Sequence, residues 1–277
     1  MASISVAAIL RAARFSPNSV ASDAAILNTV AAEVRRRGVG VNVYSEEQFI
    51  ESGIGSEAIV MAMVRDPRSI SRLAALEAQG RLVVNSSQAI AQCARATMTR
   101  LFEREGIPMP PTLVVATNVD IRRQLEEMGI GACWIKRADC QTIHKEDVAR
   151  ARHPQEAQEI LSEFFIRNIP VATVAAHVPG LHIKFYGVAN DFFHYYFSGN
   201  GAAPAGFDGE RLREVCSRAA RAVDTVVYGG DAIVDPATGD FCIVCFNDRP
   251  GFAPSRPQAA KAICKHVASH ARKLLRK

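Results

Sequence analysis

Gly230-Asp-Ala-Ile-Val-Asp-Pro-Ala-Thr-Gly-Asp-Phe-Cys-Ile-Val-Cys-Phe-Asn-Asp-Arg-Pro250 carries two apolar runs, starting at Asp231 and Phe241, on either side of the turn Pro236-Ala-Thr-Gly239. That arrangement predicts a β-hairpin. Side chains alternate along a strand, so Cys245 and Asn247 are expected on one face, and Cys242 and Cys245 on opposite faces. Asp231 on one strand and Asn247-Asp248 at the end of its neighbour bring oxygen donors close together. Such donors suit Mg²⁺ when phosphates complete its shell; the simpler reading of the same residues is a turn.

Working back towards the N-terminus, the pattern changes character twice. Strand-like runs at 4–10, 39–44, 58–64 and 82–84 alternate with helical stretches at 20–37, 68–78 and from 86, and Ser45 with Gln48 forms a capping box before another helix. Alternation of this kind predicts a parallel sheet covered by helices. After Pro108, Pro110 and Pro111 come strands at 112–115 and 133–136, helices at 119–128 and 154–165, and three closely spaced strands at 172–178, 181–188 and 192–197, an antiparallel signature. A helix at 210–223, the hairpin and a final helix with Ile263, Val267, Ala271 and Leu274 on one stripe complete the chain.

Composition excludes several classes. With 277 residues, 48% hydrophobic and 22% charged, the chain buries a sizeable core and suggests about two or three units. The apolar stretch 168–183 is interrupted by two prolines and two histidines and is shorter than the roughly 20 residues that span a bilayer, so no membrane segment is expected. No basic residue precedes the apolar run at 4–10, so it lacks a signal-peptide layout and a cytoplasmic protein is expected. Beyond Asp248 there is no acidic residue and eight basic ones, against a net −3 for residues 1–248. No aromatic residue interleaves these charges in the final helix, so nucleic-acid binding is disfavoured against a solvated helix end. Seven cysteines without paired spacing read as reduced thiols.

The phosphate-loop pattern, GxSxG and HExxH are absent, and Gly53-Ile-Gly55-Ser-Glu-Ala58 runs into a strand instead of opening a helix, so it is no dinucleotide fingerprint. More telling is a dispersed set of cations: Arg100 in Cys93-Ala-Arg95…Met98-Thr-Arg100, Lys136 ending Cys133-Trp-Ile-Lys136, and Lys184 in Gly180-Leu-His-Ile-Lys184. A cation within an apolar strand needs a counter-charge or a cleft. A polyphosphate would satisfy all three, and a half-exposed strand would satisfy each lysine separately. The loop bearing Arg14, Ser16, Asn18 and Ser19 follows the first strand, where open α/β sheets bind ligands, or it simply turns the chain.

In their order, residues 85–112, Trp134-Ile-Lys136, Gly180-Leu-His-Ile-Lys184 and Asp231…Cys245-Phe-Asn247-Asp-Arg-Pro250 resemble the ATP-grasp superfamily, nearest its glutathione-synthetase and ribosomal-protein-S6-modification ligases. The resemblance implies an N-terminal parallel α/β domain (1–95) followed by a two-lobed ATP-grasp fold, α/β and α+β, with a central lobe (96–178) and a C-terminal lobe (179–277). It implies ATP held by Arg100, Lys136 and the hinge residues His177 and Val178, Mg²⁺ held by Asp231 and Asn247, and Lys184 facing the γ-phosphate or substrate. The implied activity is carboxylate–amine ligation through an acyl phosphate, on a small-molecule or peptide carboxylate. Cys245 stands where the family has a metal-binding carboxylate, and Ala176 where it has an acidic residue. An inactive nucleotide- or ligand-binding module is therefore the alternative, and homo-oligomerisation is left open.

Overall fold

The computed structural model describes residues 5–16, 20–140 and 143–274, the side chains at 200 and 270–274 excepted. Short apolar strands β1 (Ser5–Ile9), β2 (Gly40–Tyr44), β3 (Ile59–Ala62) and β4 (Leu82–Val84) pair in parallel in the order β2-β1-β3-β4. β3 is buried throughout, and β1 at all but its first residue, which explains their unbroken apolar sequences. One face packs on Ile26 and Val30 of α1 (Val20–Arg36); the other packs on Phe49 of α2 (Glu46–Ser52), Leu73 of α3 (Pro67–Ala78) and Ile90 of α4 (Ser87–Gln92). The expected capping box closes: Gln48 N donates to Ser45 Oγ at 3.1 Å and Ser45 N to Gln48 Oε1 at 2.8 Å. The helix expected from residue 86 is two, because Ala94 is extended and α5 (Arg95–Arg104) starts afresh.

The second sheet contains β5 (Thr112–Ala116), β6 (Cys133–Arg137), β7 (Val148–Ala151) and β8 (Val171–Ala176), antiparallel in the order β5-β8-β6-β7. Leu125 of α6 (Arg122–Glu127) and Leu161 and Phe164 of α7 (Pro154–Ile166) cover its core face. β7, Val-Ala-Arg-Ala, has little strand propensity and escapes the sequence pattern. β8 does not join the two strands after it, as the closely spaced runs suggested. Pro179-Gly180 takes the chain into a third sheet, where β9 (Leu181–Val188) pairs with β10 (Phe192–Phe197) and, after α8 (Gly209–Ala222), with the hairpin of β11 (Val227–Val234) and β12 (Phe241–Asn247). Its order is β10-β9-β11-β12.

Core packing crosses both of the expected domain boundaries. Met98 and Phe102 of α5 pack with Phe185, Tyr228 and Phe246 of the third sheet. The final helix α9 (Arg256–Leu274) returns to the first sheet, setting Ala259, Ile263 and Val267 beside Val6, Ala8 and Val30. The expected stripe residues Ala271 and Leu274, and the terminal charges from Arg272 onward, lie outside the described side chains. No helix among the described residues is long and apolar enough to cross a membrane.

Candidate functional site

Residues of both antiparallel sheets line a cleft of about 310 Å³. On the third sheet, three cross-strand rows share the face opposite Ile183, Phe185 and Tyr228. Tyr196, Lys184, Asp231 and Cys245 are successive partners in one row; His194, Tyr186, Gly229 and Asn247 form the next; His182, Ile233 and Cys242 lie on the other side. Directly opposed residues of adjacent strands touch, so register alone brings Lys184 to Asp231. The Lys184 Nζ–Asp231 Oδ1 distance is 2.9 Å, and His182 Nε2 approaches the same oxygen at 3.0 Å. Burial lowers the ammonium's pKa, but Asp231 outweighs it and holds Lys184 above the ordinary lysine value.

A register shift between Asp231 and Ala232 corrects one expectation. Asp231 pairs with Cys245 but Ala232 with Ile243, so Val244 is an extra residue, a β-bulge that resets the alternation. Cys242 and Cys245 therefore share a face instead of opposing one another; both thiols are free. The bulge also presents the Val244 carbonyl to Lys136, which reaches from the second sheet and donates to it at 2.9 Å. Lys136 has its pKa lowered by burial. At the other end of the cleft Trp134 Nε1 donates to His177 Nδ1 at 3.2 Å, and Met98, Met109, Val178 and Ile233 add apolar walls.

Of the residues expected to contact nucleotide, Lys136, His177 and Val178 line this cleft; Arg100 does not and is exposed. Five residues is about 140° around a helix from Arg95, so Arg100 faces away while Arg95 shares the buried face of Met98, Thr99 and Phe102. Arg95 is buried, donates to the Arg137 carbonyl, and lines both the cleft and a second cavity. The i, i+3, i+4, i+7 spacing of Arg95, Met98, Thr99 and Phe102 was the signal for it in the sequence.

The second cavity, about 360 Å³, adjoins the first at Arg95, Asp231 and Cys245 and contains Lys184 and Asn247. Loops following β1 and β3 contribute Arg11, Ser16 and Arg65. Arg14 instead pairs with Glu47 and Asp66, and Asn18 and Ser19 lie outside the described residues.

This donor set does not fit Mg²⁺. Asp231 is already engaged by Lys184 and His182, Asn247 Oδ1 accepts from Arg249 N at 3.1 Å, and Asp248 is buried against Arg65 and Arg249. Burial raises the Cys245 thiol, keeping it neutral, and a neutral thiol is a poor partner for a hard dication. Among the described residues no group of three or more His, Cys, Asp or Glu converges as a metal site.

No protein-family model and no curated protein sequence matches the chain. Its structure is similar to the D-alanine–D-alanine ligase of Bacillus anthracis complexed with ATP, at TM-score 0.74 and 12% identity over 99% of both chains. It is also similar to a RimK-domain ATP-grasp protein of Sphaerobacter thermophilus (TM-score 0.71, 15% identity, 94% of this chain and 98% of that one). D-cycloserine synthetase DcsG gives TM-score 0.69 and 16% identity, over 94% of this chain and 99% of that one. With its parallel sheet followed by two antiparallel ones across a cleft, the chain has the ATP-grasp fold.

Proposed function

We propose that the chain is an ATP-dependent carboxylate–amine ligase acting on a small molecule or peptide. One observation carries this reading: a largely apolar cleft, sized for a nucleotide base, opens at its cationic end into a second polar cavity. Trp134, His177 and Val178 surround the base, Arg95 and Lys136 hold the phosphates, and Lys184 offsets charge on the transferring phosphoryl group. A substrate carboxylate oxygen forms a bond to the γ-phosphorus as the β–γ bridging bond breaks and ADP leaves. An amine then attacks the acyl carbon, phosphate departs with the bonding pair, and the amine loses its proton. The free thiols suit a reducing compartment, so the cytoplasm is the proposed location.

A second reading, a nucleotide-binding module without ligation, is favoured by Cys245 opposite Asp231, where a carboxylate would complete a metal site. Calorimetry with ATP, followed by assay of ADP release with carboxylates and amines, separates the two. Binding that weakens at least tenfold in Lys136→Ala is expected, with slow ADP release on ordinary amino acids and short peptides. Binding without release on any substrate pair supports the module, and loss of both overturns the nucleotide site.

A further inference from the structure

The second cavity is lined by five cations, Arg11, Arg65, Arg95, Lys184 and Arg249, against two carboxylates, Asp23 and Asp231. Arg11 follows β1 and Arg65 follows β3, at the carboxyl ends where parallel sheets take ligands. Their loops are joined by Glu46. This fully buried carboxylate accepts from Ala12 N at 2.8 Å and from Arg65 N and Asp66 N at 2.7 Å each. Three backbone donors on one side chain hold the loops together and give the two guanidinium groups fixed positions.

Their acidic partners are already committed. Arg11 Nη1 pairs with Asp23 at 2.8 Å, and Asp248 pairs with Arg65 at 3.0 Å while lying 3.1 Å from Arg249 Nη1. The Arg11 side chain is 10% exposed, and its Nη2 is buried without a hydrogen-bond partner. Both Nη atoms of Arg249, 2% exposed, also lack a hydrogen bond. Buried guanidinium groups with unused donors are costly, and their planar forks match carboxylate and phosphate oxygens. Asp231, the 2.9 Å partner of Lys184, borders the cleft, whereas Arg11 and Arg65 follow strands of the first sheet, so the cavity offers one place for negative charge beside the cleft and another beside the first sheet.

We propose that the acceptor carries two anionic groups: one carboxylate reacts beside Lys184, and a second anionic group, carboxylate or phosphate, is held by Arg11 and Arg65. This rests on the ligase reading for the reacting end only. The test uses the full chain with a non-hydrolysable ATP analogue and matched probes: succinate against succinamate, glutarate against glutaramate, and 3-phosphoglycerate against glycerate. Calorimetry is expected to show at least tenfold tighter binding of the member of a pair that carries the second anionic group, and loss of that preference in Arg11→Gln and Arg65→Gln. If the phosphate pair alone discriminates, the second group is a phosphate. Equal binding within every pair, or no binding of any probe at millimolar concentration while ATP binds, overturns the proposal. So does a preference that survives both substitutions. Should either variant fail to fold, the wild-type pairs still decide. Discrimination without ATP binding would instead overturn the ligase reading and leave the site for two anionic groups intact.

Discussion

Arg95 and Arg100 stand on one helix and differ only in which way they face, so exchanging each for glutamine tests the cleft directly. Arg95→Gln is expected to weaken ATP binding about tenfold, roughly 1.4 kcal/mol, and Arg100→Gln to leave it within twofold; calorimetry on both variants measures the contrast. Lys136 adds a pH signature. Burial lowers its pKa below the ordinary lysine value, so the free protein loses this proton at a lower pH than an exposed lysine would. A phosphate needs the ammonium form, and ATP affinity should therefore fall as pH rises through that lowered pKa. The linked stability has the opposite sign: the unfolded chain keeps the proton longer, so stability contributed by this group rises across the same window. Lys136→Arg, charged throughout, should flatten the affinity profile, and a fall of unchanged size in that variant would assign the titration elsewhere.

At the scale of elements, Asn85 shows how a polar residue joins β4 to the third sheet. Its Nδ2 donates to Val227 O at 2.7 Å and Asp248 O at 2.6 Å, while its Oδ1 accepts from Val226 N at 2.9 Å and Val227 N at 2.8 Å. The side chain thus occupies both ends of its amide across the start of β11 and the end of β12. Asn85→Ala would strand these buried backbone groups and is expected to cost about 3 kcal/mol, at one to three for each unsatisfied group with partial relaxation. Denaturant unfolding measures the loss. Asn85→Asp should be nearly as harmful, because a carboxylate cannot donate to the two carbonyls.

For the whole molecule, the packing of α9 on the first sheet and of α5 on the third joins segments that sequence order divides, and cooperative unfolding is expected. Ile263→Ala is expected to destabilise by about 2–5 kcal/mol, the cost of a large-to-small change in a packed core. The unfolding transition should remain single when followed by far-ultraviolet circular dichroism and by the fluorescence of Trp134, which lies in the second sheet. Two separated transitions would show that the domains unfold independently.

The parallel and antiparallel regions, the hairpin and the capping box were legible in the sequence because each depends on local periodicity or on contacts a few residues apart. So were Lys136 and Lys184 as charges placed in apolar strands, and Asp231 as an oxygen donor at a strand end of the hairpin. The pairing of Lys184 with Asp231 needed the register of β9 against β11, 47 positions apart, and the exchange of Arg100 for Arg95 needed to be seen from the helix's buried side. Alternation by itself put Cys242 and Cys245 on opposite faces; the bulge at Val244, imposed by pairing with β11, put them together. The second cavity was the least legible feature, since Arg11, Arg65 and Arg249 come from three distant loops and are brought together by Glu46 and Asp248. Sequence determined most of the strands and helices, β7 and the break between α4 and α5 excepted, because burial pattern is a local property. Only the tertiary structure decided which charges met, because that depends on register and on loops that close over long separations.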